Sequence, residues 1–373
     1  MDGDAVRWSF TPEQEALRAE VRAFLAERRA ALHPMQYFRG RGGASRDLYR
    51  QMGERGWLSL AWPRRWGGAE ASPSTEFVVW DELAYGRAVR PDLAAGIVAK
   101  TIIAYGDDAQ RERLLPGIRR GETGFALGYS EPEAGSDLAA VRTRAVRDGD
   151  GYRVTGEKRW TSDAHNSAYL WLLCRTERGH TLLVLDLAAP GVTIRPIETI
   201  DGHRLNEIVL DGVYVPARDR IGAEGDAWRL IRAALAVERH LMVLPGRVRR
   251  DFEDLLDSAR AGGWLDDPRI RAEIADAALD VSEVEAAALD TLAAMEAGRD
   301  GAVEAARAKL LGSRAVQRFA RIPFLAGDPS VAERGSRTAF LWQETFMETI
   351  AGGTSEVMLG VVARQALGLG GRR

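Results

Sequence analysis

The chain has 373 residues, 46% of them hydrophobic and 28% charged, with a formal net charge of −3. That length predicts two or three domains, and that composition excludes a disordered or collagen-like chain. The near-neutral balance argues against a nucleic-acid binder that works by bulk charge.

In chain order, residues 1–122 read as a helical region. Thr11, Pro12 and Gln14 form a strong helix start, with Thr11 as cap, Pro12 in the first turn and Gln14 closing a capping box. Leu17, Val21, Phe24 and Leu25 then recur on one helical face. Further helices are predicted near 46–54, 74–85, 92–105 and 107–120, the last bent or broken at Pro116. Residues 123–222 read as a β domain, with strands at 138–146, 152–155, 170–175, 181–187 and 208–215. Residues 223–373 return to helical period. One long helix is predicted from Asp226 to about Gly262, kinked at Pro245, followed by helices at 267–298, 301–322, 336–349 and 355–367. The short Gly298–Gly301 linker predicts antiparallel neighbours in a bundle. The fold class expected is α+β multidomain: a helical domain, a β-barrel-like domain and a four-helix bundle.

Four segments could carry chemistry. On the predicted long helix, Glu238 has Ala234, Leu235, Leu241 and Met242 one turn away, an apolar wall that would raise its pKa and make it a stronger base. Arg239 is flanked in the same way by Leu235, Ala236, Met242 and Val243. A buried charge pair that only positions helices gives the same pattern. Gly352-Gly353-Thr354-Ser355-Glu356 offers close backbone approach and a capped helix start, which attracts phosphate, though many helices begin this way. Tyr129 to Asp137 is a loop of small and polar residues after a strand. Lys158-Arg159-Trp160-Thr161-Ser162 places an aromatic before two hydroxyls, able to stack on a ring and bond its heteroatoms. Cys174, the single cysteine, sits in an apolar strand and reads as core, which excludes a disulfide framework. The five histidines lack metal-ligand spacing, so no metal is expected. With no apolar run of about 18 residues and no signal-like N-terminus, a cytoplasmic protein without a membrane span is expected.

Together these segments resemble the acyl-CoA dehydrogenase family. The resemblance runs from Ala104–Ile118, through Tyr129–Asp137, Gly156–Ser162, Asp211–Pro216 and Gly225–Trp228, to Ile350–Glu356 and Leu367–Leu369. It implies an FAD enzyme that desaturates an acyl thioester, acyl-CoA or acyl-carrier-bound, between its α and β carbons. A carboxylate takes the α proton and the β hydrogen leaves as hydride to flavin N5. By the same resemblance Leu127, Tyr129 and Ser130 line the flavin ring, with Trp160 and Ser162 at its other edge. Ser136 lies near flavin and thioester, and Thr354 and Glu356 reach the ribityl–phosphate part. An electron-transfer flavoprotein accepts the electrons.

The chain departs from the family pattern twice. Many members carry the catalytic glutamate where this chain has Gly352. A smaller branch places it on the long bundle helix before an arginine, which Glu238-Arg239 matches. The resemblance then implies Glu238 as base, the Gly352 amide as donor to the thioester oxygen, and Arg239 beside the substrate. Members that build flavin sites across a homodimer carry Arg-x-x-Phe-Gly and Gln-x-x-Gly-Gly strings. Neither occurs at 259–268 or 321–337. That implies either a homo-oligomer or a pair of unlike subunits, as in members acting on bulky or steroid-side-chain thioesters. A flavin monooxygenase on the same fold and a non-catalytic half-site subunit remain the alternatives.

Overall fold

The computed structural model describes residues 9–28, 44–237 and 239–370. Glu238 lies outside the described residues. The first helices are α1 (Pro12–Arg28), α2 (Ala44–Glu54), α3 (Pro73–Tyr85), α4 (Ala99–Tyr105) and α5 (Asp108–Arg119). The strands are β1 (Phe125–Gly128), β2 (Arg144–Asp148), β3 (Gly151–Ser162), β4 (Tyr169–Thr176), β5 (Gly179–Asp186), β6 (Val192–Glu198), β7 (Arg204–Pro216) and β8 (Arg220–Ile221). The later helices are α6 (Ala227–Val237), α7 (Pro245–Ala261), α8 (Pro268–Glu296), α9 (Ala302–Leu325), α10 (Arg337–Glu344) and α11 (Ser355–Gln365).

Packing gathers the chain into two compact units, 1–34 with 71–88 and 239–373, and 35–70 with 89–238. In the first, Val248, Leu255 and Ala259 of α7 share a core with Ile270, Ile274, Ala277 and Val284 of α8 and Ala315, Val316, Phe319 and Ile322 of α9. The predicted start of α1 is present: the Thr11 amide donates to Gln14 Oε1 at 2.9 Å and the Gln14 amide to Thr11 Oγ1 at 3.3 Å.

The second unit is built on an eight-stranded sheet in the order β6-β7-β3-β2-β4-β5-β8, with β1 parallel to β4. Tyr152, Val154, Leu170, Leu172, Leu183, Leu185, Ile208 and Leu210 fill its core. Several expectations of secondary structure change. The strand expected at 138–146 begins only at Arg144, because the Asp137 carboxylate accepts the Ala139 amide and turns Leu138–Ala140 into a 3₁₀ turn. Helix α5 runs through Pro116 to Arg119.

The long helix expected from Asp226 to Gly262 is two helices. The first ends at Val237, Arg239–Leu241 is a 3₁₀ turn, and Leu244 is extended at φ −107° and ψ 108°. Pro245 does not kink a helix. It opens one, at the first helical position where its missing N–H costs nothing. The residue before a proline is pushed out of the helical region, so the break at Leu244 follows from the sequence.

Candidate active site

The site builds from strand β3. Opposite β7 its register slips between Lys158 and Thr161, where Lys158 faces Ile208 and Thr161 faces Asn206. The extra residue forms a bulge, and Trp160 sits in it at φ +63°. A left-handed backbone at a bulky residue is costly, so something must repay it. The bulge leaves the indole 51% exposed, with the Arg159 guanidinium 4.8 Å over its ring. Beside it the Thr161 hydroxyl and Arg159 Nε are buried without a hydrogen-bond partner.

The loop after β1 is laced to this bulge. Lys158 Nζ donates to the Tyr129 carbonyl at 3.1 Å and to Glu131 Oε1 at 2.7 Å. The Arg159 amide donates to the Ser130 carbonyl at 3.0 Å. Thus Tyr129, Ser130 and Trp160, predicted from separate segments, are brought together. Leu127 is half-buried on β1, whereas Ser162 and Ser136 are exposed. Burial pushes the Tyr129 phenol up, keeping it protonated as a donor. An exposed indole, a phenol and orphaned polar groups fit the face and edge of a flavin ring. The sequence offers Thr161 only as one of two hydroxyls after Trp160, and it gives no sign of the buried Arg159 Nε or of the Lys158–Glu131 pair. Only the bulge, which no local pattern shows, turns Thr161 inward.

In the other unit Gly352 and Gly353 turn at φ +69° and +102°. Thr354 caps α11, its hydroxyl accepting the Val357 amide at 3.2 Å, as the sequence predicts. Glu356 is exposed in the first turn. A helix start with a glycine pair before it suits a phosphate-bearing ligand.

The apolar wall expected around Glu238 falls on a residue outside those described; α6 is described to Val237 and Arg239–Leu241 is a 3₁₀ turn. Leu241 lies in that 3₁₀ turn, and Leu235 is exposed. Arg239 itself opens the 3₁₀ turn, its carbonyl accepting the Met242 amide at 3.2 Å. Its guanidinium donates to the Asp300 carbonyl at 2.6 Å and lies 3.1 Å from the Asp300 carboxylate, on the α8–α9 linker. The next residue, His240, is buried with Nε2 2.9 Å from Glu76 Oε2 on α3. Position 238 is thus followed by a turn pinned at two points.

A cavity of about 570 Å³ adjoins β2 and β4, lined by Arg142, Arg144, Arg175, Thr176 and Glu177. Arg144 stands opposite Arg175 in the parallel register. Neither makes an ion pair with another described residue. Like charges paired across strands are unfavourable without a counter-ion.

Models of the acyl-CoA dehydrogenase N-terminal, middle and C-terminal domains match residues 11–122, 126–213 and 225–367. The chain belongs to the acyl-CoA dehydrogenase family, FAD flavoproteins that oxidise CH–CH bonds of acyl-CoA. It is 35% identical to acyl-CoA dehydrogenase FadE26 of Mycobacterium tuberculosis, over 98% of this chain and 99% of that one. It is 33% identical to FadE29 of the same organism, over 96% and 97%. Among solved structures it resembles the Tcur3481–Tcur3483 steroid ACAD, with a TM-score of 0.89 and 30% identity over 98% and 99% of the chains. It also resembles a chain of the ChsE4–ChsE5 complex from Mycobacterium tuberculosis, with a TM-score of 0.87 and 32% identity over 99% and 100%. No described helix is long and apolar enough to cross a membrane, and no described cluster of His, Cys, Asp and Glu could hold a metal.

Proposed function

We propose that the chain catalyses α,β-dehydrogenation of a bulky acyl-CoA, with FAD held by Leu127, Tyr129, Ser130, Ser136, Trp160, Ser162, Thr354 and Glu356. The observation that carries this is the strained bulge at Trp160, laced to Tyr129 and Ser130 and flanked by orphaned polar groups. Bound FAD supplies the hydride acceptor. The remaining work falls to the chain. Glu238 takes the α proton, since position 352 has no side chain and Glu238 precedes Arg239 as in the branch described above. The Gly352 amide donates to the thioester oxygen, where negative charge develops as the proton leaves; a donor there is worth about 2.7–4 kcal/mol at comparable oxyanion sites. Ser136 and Arg239 flank the substrate, Arg239 from its anchor on Asp300. The unpaired Arg142, Arg144 and Arg175 suit the phosphates of CoA.

Bulky substrates are supported by the likeness to the Tcur3481–Tcur3483 steroid ACAD. The test is anaerobic mixing of purified protein with thioesters. A bulky acyl-CoA should bleach the flavin absorbance, and a chain that binds FAD but is bleached by no thioester would leave the half-site reading.

An unlike partner subunit is the second part of the proposal. Two relatives are named as two-component assemblies. Both homodimer strings are absent here. Phe324, Leu325, Phe346, Ile350, Leu359 and Leu367 are exposed in the last fifty residues, and Trp342 joins Phe324 and Phe346 in one ring cluster, apolar side chains that an unlike partner would cover. A half-site holds FAD weakly and gains little stability from it. The chain alone should therefore purify with less than one flavin each. One tightly held FAD per chain in a pure homo-oligomer would sink this part. An electron-transfer flavoprotein completes the turnover by reoxidising the flavin.

A further inference from the structure

Lys158 is wholly buried, and its ammonium has two partners, the Glu131 carboxylate at 2.7 Å and the Tyr129 carbonyl at 3.1 Å. Glu131 is 6% exposed and is itself fully engaged. Besides Lys158 it accepts the backbone amides of Arg142 at 2.6 Å and Thr143 at 2.9 Å. Such a pair is an expensive way to fill a core. Desolvating two charges costs several kcal/mol, and apolar residues of the same volume are often as stable or more so. Burial accordingly pushes the Lys158 ammonium down. Stability therefore does not explain the pair, and the groups it holds do.

Those groups are backbone atoms of the cradle. The Tyr129 carbonyl is fixed by Lys158, the Ser130 carbonyl by the Arg159 amide, and the backbone amides of Arg142 and Thr143, just before β2, by Glu131. Lys158 and Arg159 are the two residues before Trp160, so the clamp closes on the near side of the bulge. We propose that Lys158, braced by Glu131, is a positioning residue that sets the spacing between Tyr129–Ser130 and Trp160–Ser162. A change of spacing would leave the ring either unstacked or without its edge donors. The inference rests on the flavin assignment above.

The test separates stability from cofactor affinity. Thermal midpoints of the apo form and FAD affinity by fluorescence quenching are measured on the chain, or on its complex if it co-purifies with a partner. Lys158→Met alone strands the buried Glu131 and should lower both. Lys158→Met with Glu131→Gln removes both charges. It should restore most of the midpoint yet bind FAD at least about tenfold more weakly, the worth of one charge-assisted hydrogen bond. Recovery of affinity together with the midpoint would make the pair merely structural and overturn the inference. Should neither variant fold, Glu131→Gln alone decides. It keeps one acceptor for the backbone amides and should loosen FAD severalfold, and unchanged affinity overturns the inference. A parent protein that binds no FAD in any assembly refutes the flavin assignment instead.

Discussion

In the sheet, Tyr129 and Ser130 meet Trp160 through hydrogen bonds that span about thirty residues of chain, anchored on a register set by Ile208 and Asn206 of β7. Over residues 239–245, the junction ahead of α7, the backbone passes from 3₁₀ turn to extended residue to helix, and its anchors are side chains, Arg239 on Asp300 and His240 on Glu76. Both regions contain a candidate functional residue beside an ion pair, Lys158–Glu131 buried in the first and Arg239–Asp300 partly exposed in the second. They differ in what fixes them. A sheet register is set by many bonds at once, so the cradle is held even though Trp160 is strained. The junction is set by a proline and two side-chain contacts, and its geometry depends on each.

The largest effect should separate the chemistry of the junction from that of the cradle. Glu238→Gln is expected to keep the flavin and lose dehydrogenation by ~100–10,000-fold or more, the range of a general base. Single-turnover bleaching at the parent rate would remove Glu238 from the mechanism and with it the functional contrast between the regions.

Next comes the cost of breaking the two ion pairs, one buried and one partly exposed. Lys158→Met leaves a carboxylate uncompensated in the sheet and should cost about 3–5 kcal/mol by urea unfolding. Arg239→Met, at a half-buried pair, should cost at most about 1 kcal/mol while raising KM. Equal losses in the two variants would show that the junction is as rigidly held as the sheet.

A third comparison concerns strain. Truncating a buried core tryptophan typically costs about 3–5 kcal/mol. Trp160→Gly removes an exposed indole and relieves a left-handed backbone worth ~1–2 kcal/mol, so the apo protein should lose less than about 1 kcal/mol while FAD binding falls. Gly352→Ala runs the other way. A Cβ there meets no described atom within 4 Å, yet φ +69° should cost ~1–2 kcal/mol. A thermal midpoint unchanged by Gly352→Ala would show that the turn relaxes.

The smallest effect is expected at the arginine-lined cavity. Arg144→Gln removes one of two facing like charges and should stabilise the apo protein by ~0.2–1 kcal/mol. It should also raise KM for an acyl-CoA while leaving KM for the matching acyl-pantetheine unchanged. An equal rise for both substrates would place the phosphates elsewhere.

Much was legible in the sequence. The order of helices, strands and helices follows from hydrophobic period. The cap on α1 and the Thr354 cap on α11 follow from residue type, because capping is satisfied within four residues. The Leu244–Pro245 break is legible too, because the residue before a proline is pushed out of the helical region. Lys158 and Trp160 stood in a recognisable string, but their roles did not. That Lys158 is buried, that Thr161 rather than Ser162 turns inward, and that Arg144 faces Arg175 all depend on which strand lies alongside and in what register. Register is settled by contacts between residues far apart in the chain, so local composition carries no record of it. Sequence alone determined the elements and the residue types available for chemistry. Tertiary structure decided which of them share a surface, because a one-residue slip at a bulge reverses the face that every following side chain presents.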